Sequence, residues 1–447
     1  MVPARTGVAG YSAEVVAGLR PSHEIDVFAD EPSARAARRA PASPAVRSAH
    51  DFLWEHRLRA YDLTIFQLGN SSAHDFLWPY LFRYPGLAVL HDVHLHHARA
   101  AALLRAGRVA EYRIEFAASQ PDVSPDMAEL AVKGFDNYLY YAWPMTRLVT
   151  EASRLTALHA ECSAALLRAS VPSAPVEVLR LGHGQPVSPD RAAAARHQVR
   201  DAHGIPGSAV LFGVFGGLTP EKRVPQVLRA FASLLPSHPD ARLLLAGAEA
   251  SHYDISSAID ELGISAAVTT TGYLDDDEAF TDTIAACDVS INLRWPTARE
   301  VSGPWVRALA AGKPTITTDL SHTADVPALD PRNWTLSHAS ADLDDVPDPV
   351  TIAIDIIDED HSLRLAMRRL ASDPDLRRRL GRAAAAYWTE VHSTDGMIAD
   401  YQRAIARALT LPAGRVDLPA HLRDDGSATL RGLLGPFEIG GDLWGTI

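Results

Sequence analysis

Short apolar or β-branched runs alternate with longer helical patterns along most of this 447-residue chain, and that alternation limits the fold more than any other feature. In the first half, strand-like runs fall at 24–28, 63–68, 87–90, 155–159 and 176–181, with helical patterns at 11–19, 53–60, 98–118, 125–135 and 160–168. The second half repeats the scheme, with strands at 210–215, 242–245, 268–271, 289–293 and 315–318 and helices at 225–234, 255–262, 277–286 and 305–311. Strands joined by crossover-length helices pair in parallel, and a parallel sheet needs helices on both faces. A chain of this length also exceeds one ordinary core. The pattern therefore predicts an α/β protein with two parallel sheets.

The halves meet near 182–190, where a glycine- and proline-containing stretch reads as a hinge. A first domain is expected at 1–182 and a second at 183–387. After residue 349 the pattern is helical, at 362–371, 375–387 and 396–409. Residues 388–411 are expected to form a terminal helix crossing back to the first domain. The tail, 412–447, is rich in Gly, Asp and Pro without a sustained period and reads as mobile. Only ten residues precede the helical pattern at 11–19, so a first strand is expected upstream of this start.

Composition removes several function classes. A formal charge of -13 opposes non-specific nucleic-acid binding. No run approaches the ~20 apolar residues that span a bilayer, although peripheral membrane contact stays open. The start has no basic segment followed by an apolar core, so a cytoplasmic location is expected. The two cysteines, Cys162 and Cys287, fall in different candidate domains and suggest neither a disulfide nor a zinc site. Of 42 basic residues only Lys133, Lys222 and Lys313 are lysine, which directs attention to the two in glycine-containing loops, Lys222 and Lys313.

Four segments fall at strand ends, where open parallel sheets bind ligands. Gly7 and Gly10, in TGVAGY, allow backbone N–H groups to approach a phosphate at a helix start. His91, His94, His96 and His97 follow the run at 87–90. Four histidines on one such loop cannot all converge on a metal, and His91, nearest the strand, suits a sugar hydroxyl. The segment FGGLTPEKR offers Gly216 and Gly217 for phosphate access, with Lys222 and Arg223 as cations for a leaving diphosphate. In LRWPTAREVSGP, Glu300 either caps the next helix or binds sugar hydroxyls, and Ser302 and Gly303 stand beside it at the helix start.

Taken in order, TGVAGYS, VLHDVH, FGGLTPEKR, LAGAE, GYLDDDEAF, ACDVSINLRWPTARE and RALAAGKP resemble the retaining nucleotide-sugar glycosyltransferases of family 4, over roughly residues 6–409. The resemblance implies a GT-B fold of two facing Rossmann-like domains and a nucleotide-diphosphate sugar as donor. It implies transfer to an acceptor hydroxyl with retention, and neither a cofactor nor a metal for the bond-forming step. His91 looks like the family's histidine near the donor sugar and the attacking hydroxyl. Lys222 looks like its diphosphate-binding lysine, Glu300 like the first of its paired glutamates, and Gly7 and Gly10 like its glycine loop over the phosphates.

Two positions depart from the family. Gly217 stands where an arginine is usual, which leaves Arg223 or another base to compensate. The second glutamate is replaced by Ala308 or, in the alternative register, Arg307. A catalytically silent GT-B domain that binds a nucleotide sugar or serves in assembly is therefore the second reading. A dinucleotide-dependent oxidoreductase is disfavoured because G-x-G-x-x-G is absent. No pyridoxal-phosphate lysine can be picked from three candidates. The acceptor, whether a saccharide, a lipid-linked saccharide or a small molecule, is not legible. Leu81, Phe82, Tyr112 and Phe116 offer either an apolar acceptor or membrane patch or ordinary helix packing.

Overall fold

The computed structural model describes residues 7–38, 46–135, 139–250, 253–274, 276–320, 323–337, 348–424 and 432–437. The chain divides into two compact units. The larger comprises Met1–Phe52, His159–Ser163 and Val178–Arg403, and the smaller Leu53–Leu158, Ala164–Glu177 and Ala404–Ile447. Each contains a parallel, Rossmann-like α/β sheet.

In the larger unit an eight-stranded sheet runs in the order Leu336–Ser337, Ala328–Leu329, Thr351–Ile354, Thr315–Thr318, Val289–Asn292, Leu211–Phe215, Arg242–Ala246 and Val268–Thr270. Every pairing is parallel except the one between the two shortest strands at the edge. Leu211–Phe215 is buried at every position because both faces are covered, and Val289–Asn292 and Thr315–Thr318 beside it also bury Ser290, Thr315, Thr317 and Thr318. Phe212 and Val214 pack with Val227, Leu228 and Phe231 of the helix Val224–Leu234, and with Leu363 and Met367 of Glu359–Ser372. Leu211 and Phe215 meet Ile284 and Ala308 on the opposite face. Each fully buried large apolar side chain contributes roughly 1.5–3 kcal/mol of transfer free energy, so two filled faces account for much of the unit's cohesion.

One property of this sheet positions the site. From Leu211–Phe215 the chain steps outward to Arg242–Ala246 and Val268–Thr270. It then returns to the other side of Leu211–Phe215 as Val289–Asn292 and steps away in the opposite direction. Strand order therefore reverses between Leu211–Phe215 and Val289–Asn292. The carboxyl ends of strands at such a reversal form the natural crevice of an open α/β sheet.

The smaller unit is built on four strands, in the order Ile65–Leu68, Leu87–Leu90, Leu155–Leu158 and Val176–Val178, the first three paired in parallel. All four residues of Leu87–Leu90 are buried. Tyr112 and Phe116, with Leu103 and Met145, form a core cluster, and Leu81 is fully buried. Helix packing thus accounts for the apolar patch around 81–82 and 112–116, where only Phe82 is half-buried, against Trp78.

Several element boundaries differ from the sequence pattern. The expected single helix over 98–118 is two, His96–Arg105 and Val109–Ser119, because Gly107 takes φ 71° and ends the first. The strand expected at 24–28 is Val27–Ala29, and among the described residues it pairs only with Val46–Ser48, in a separate two-stranded parallel sheet. Residues 125–135 form a 3-10 turn and a short helix, Ala128–Val132. In the tail, the carbonyl of Glu151 would lie 1.9 Å from a Cβ added to Gly414, and His421 Nε2 lies 2.7 Å from Glu115 Oε1. Residues 425–431 and 438–447 of that tail, with Leu443 and Trp444, lie outside the described residues. No helix among the described residues is long and apolar enough to cross a membrane.

Candidate functional site

Two loops leave the adjacent strands at the reversal point of the larger sheet. The first begins with Gly216, at φ 81°, where an added Cβ would lie 2.7 Å from Lys222 Nζ and 3.3 Å from Pro304 Cγ. A side chain there meets both backbone strain and steric exclusion. Behind it, a Cβ on Gly247 would sit 2.1 Å from the Gly216 carbonyl oxygen, so the backbones touch because neither residue has a side chain. Gly217 differs, since a Cβ there meets nothing within 4 Å.

Lys222 ends the 3-10 turn Pro220–Lys222 and folds back beneath the loop, donating from Nζ to the Phe215 carbonyl. It is 7% exposed. Burial holds its ammonium well below the ordinary lysine value; the Arg294 guanidinium adds to that depression and the Glu300 carboxylate opposes it. Arg223, expected as a second cation for the diphosphate, is instead clamped by Glu359, to which its Nε donates at 2.9 and 3.1 Å. The neighbouring helix Glu359–Ser372 supplies that carboxylate, a pairing between residues 136 positions apart that no local pattern displays.

The second loop runs from Leu293 to Ser302. Its Trp295 N–H donates to the Glu221 carbonyl at 2.8 Å, tying it to the first loop. Arg294 N–H donates to Thr318 Oγ1 at 3.0 Å, and the Arg294 guanidinium pairs with Glu300 Oε1 at 3.0 Å. Thr297 Oγ1 donates to Glu300 Oε2 at 2.9 Å. Glu300 is therefore aimed by two partners and is not the helix cap. Ser302 has that role, accepting from Trp305 N–H at the start of Gly303–Ala310.

Glu300, Arg294 and Ser302 line a cavity of about 220 Å³ within the larger unit. Thr317, Thr318 and Asp325 complete its polar wall. His159 and His392 also face it, and burial pushes both imidazoles down to about 4, so they are neutral near pH 7. Val178, Val301, Trp305, Leu320 and Val326 line the rest of it, so the cavity pairs a largely apolar wall with a few convergent hydroxyl, carboxylate and guanidinium groups.

Position 308 does not supply the second family carboxylate, because Ala308 is buried in the core. Arg307 is 7% exposed, donates from Nη2 to Asp277 Oδ2 at 3.0 Å and lies over the Phe280 ring. Gly7 and Gly10 lie within the helix Gly7–Leu19 rather than in a loop before it. The structure brings Gly10 and Gly303 to the two sides of one imidazole that the sequence reading passed over. His183 Cε1 is 3.9 Å from a Cβ placed on Gly10, and its Cδ2 is 3.3 Å from one placed on Gly303. Its only signal in the sequence is the short LGHGQP stretch, which reads as a hinge.

His91 belongs to the smaller unit, immediately after Leu87–Leu90. Its N–H donates to the Leu68 carbonyl, and its Nε2 lies 2.9 Å from Gln67 Oε1. Asp92 accepts from Asn70 N–H, and Asn70 Oδ1 accepts from Ala98 N–H, which pins the loop across two strand ends. The other histidines take separate surroundings. His94 is buried, and His96 hydrogen-bonds Tyr112 with its imidazole pushed down to about 3 by burial, while His97 packs on Tyr140.

Residues 195–328 match the family model described as glycosyl transferases group 1, a span that contains both loops. No curated protein matches the sequence. Among solved structures, sucrose-phosphate synthase from Thermosynechococcus elongatus superposes with a TM-score of 0.58 at 14% identity, covering 90% of this chain and 93% of that one. The fold is GT-B. Anabaena HepE, solved with UDP and glucose, shares it at a TM-score of 0.55 and 13% identity over 90% of this chain and 96% of that one. WaaG, a glycosyltransferase involved in lipopolysaccharide biosynthesis, does so at 0.54 and 15%, over 89% and 95%. In this GT-B chain the matched family span is confined to the larger unit, where Gly216, Lys222 and Glu300 lie.

Proposed function

We propose that this protein transfers a sugar from a nucleotide-diphosphate donor to an acceptor hydroxyl, as a retaining enzyme of the family 4 type. The observation that carries this reading is that Lys222 and Glu300, close enough to interact electrostatically, lie at the reversal point of the larger sheet, where Glu300 lines a cavity. That cavity, at about 220 Å³, is smaller than the roughly 300–1,000 Å³ of pockets enclosing a whole drug-sized ligand, so it suits one sugar ring.

The diphosphate is assigned to the Gly216–Gly217 loop. There it favours the charged form of Lys222, whose ammonium stabilises the developing negative charge as the leaving group departs. Glu300 holds donor-sugar hydroxyls. The acceptor oxygen bonds to the anomeric carbon while the bond from that carbon to the diphosphate oxygen breaks. The acceptor proton passes to the departing diphosphate on the same face, which gives retention. His91 is assigned to the donor sugar and the attacking hydroxyl, as the resemblance implies. The solved relative from Anabaena was crystallised with UDP and glucose, which supports a sugar nucleotide as the ligand class.

A second reading has its own observation. Neither Arg307 nor Ala308 offers a carboxylate, so a ribose grip at that position is lacking, and the chain then binds a nucleotide sugar without turning it over. The deciding experiment incubates the purified protein with a panel of nucleotide-diphosphate sugars and varied hydroxyl acceptors. Release of nucleoside diphosphate with formation of a product of unchanged anomeric configuration supports the enzyme. Saturable binding with no transfer or hydrolysis across the panel supports the silent domain. Neither binding nor turnover would defeat both.

A further inference from the structure

Glu14 and His183 form a side-chain pair that the reading above does not use. His183 Nδ1 lies 3.0 Å from Glu14 Oε1, and both belong to the larger unit. The imidazole is 8% exposed, and its backbone carbonyl separately accepts from Trp388 Nε1 at 3.1 Å. Two independent contacts therefore fix the residue, one on the main chain and one on the ring.

The carboxylate on one ring edge sets the state of the other. In the neutral tautomer in which Glu14 accepts from Nδ1–H, Nε2 is an unprotonated acceptor. Nε2 has no hydrogen-bond partner among the described residues. The edge that carries it is flanked by two glycines on different elements, Gly10 in Gly7–Leu19 and Gly303 at the start of Gly303–Ala310. A Cβ on Gly303 would lie 3.3 Å from Cδ2 and 3.8 Å from Nε2, and one on Gly10 would lie 3.9 Å from Cε1. At both positions glycine brings only backbone against this edge, with no side chain to cover Nε2, next to the loop that ends in Glu300 and Ser302.

We propose that His183 is a ligand-contacting residue of the donor site, oriented by Glu14, and that its Nε2 accepts a hydrogen bond from a hydroxyl of the bound sugar nucleotide. The assignment rests on the sugar-nucleotide reading of the same loops. It adds a contact that does not depend on a carboxylate at position 307 or 308.

The test compares wild type, H183A, H183Q, E14Q and G303A, using UDP-glucose and UDP as probes in calorimetry and UDP-glucose turnover as the kinetic readout. H183A and H183Q should weaken UDP-glucose binding roughly five- to ten-fold, the size of one neutral hydrogen bond. E14Q keeps the shape but removes the charged acceptor that holds Nδ1–H; where its amide N–H turns to Nδ1 instead, the proton moves to Nε2 and the acceptor becomes a donor. It should therefore reproduce the loss without lowering Tm. G303A, which crowds the same edge, should do likewise.

Unchanged UDP-glucose binding and turnover in H183Q and E14Q would overturn the dyad while leaving the transferase reading intact. A fall in Tm with ligand affinities unaltered would assign the pair to packing and also overturn it. If wild type neither binds nor turns over UDP-glucose or any other sugar nucleotide in the panel, the transferase reading fails first and the dyad with it.

Discussion

The backbone N–H of Trp295 donates to the carbonyl of Glu221 at 2.8 Å, joining the loop that carries Glu300 to the turn that carries Lys222. The two residues are distant in sequence, but their loops leave strands paired in parallel, with Val289 opposite Phe212. One main-chain hydrogen bond thus couples the placement of a carboxylate to that of an amine.

Lys222→Met should stabilise the protein and abolish diphosphate binding together. The folded-state value of Lys222 lies below the unfolded one, so between the two the unfolded chain holds more protons and wild-type stability rises with pH. The cost of burial is full below the folded value and is relieved as pH approaches about 10.5. The variant removes that slope and gains about 1–3 kcal/mol at the low end. Thermal unfolding of both proteins from pH 6 to 10 checks this, and parallel Tm curves would contradict it.

Gly217→Arg should raise affinity for UDP. The position has open space for a side chain and lies in the proposed phosphate loop. An added guanidinium there offers charge-assisted hydrogen bonds of about 1.5–3 kcal/mol, roughly a ten-fold or larger gain. Titration calorimetry with UDP measures it; unchanged affinity would move the diphosphate away from this loop.

Glu300→Gln should spare UDP binding and reduce turnover about a hundred-fold or more. The amide loses the ion pair with Arg294 and the charge-assisted contact with a sugar hydroxyl, while the phosphate loop is untouched. Separate measurement of kcat and UDP affinity distinguishes this from general damage, which lowers both.

Glu115→Gln should destabilise the smaller unit by about 1–3 kcal/mol. Glu115 is fully buried and pairs with Arg99, itself 4% exposed, so removing its charge leaves the buried guanidinium with the Asp75 carboxylate as its one ionic partner among the described residues. Replacing the pair by Arg99→Met with Glu115→Leu should recover much of the loss. Urea unfolding followed by far-UV circular dichroism tests both variants.

The strands at 87–90 and 315–318 were readable to the residue, because apolar and β-branched runs bounded by polar turns need no partner to be recognised. Thr351–Ile354 was not, since four residues behind a proline-rich stretch look like a linker until Thr315–Thr318 pairs with them. Lys222 and Glu300 stood out through residue type beside glycines and strand ends. The Arg223–Glu359 clamp and the Glu14–His183 pair did not, because each joins residues more than a hundred positions apart.

The sequence by itself determined that strands and helices alternate, that the sheets are parallel and that glycine-bearing loops follow their strands, since hydrophobic period and turn chemistry are local properties. Only the tertiary structure decided where the strand order reverses, that Lys222 is buried under its own loop, and that Ser302 rather than Glu300 caps the next helix. Burial, ion pairing and the protonation they impose depend on which distant segments pack together, and no local pattern encodes that.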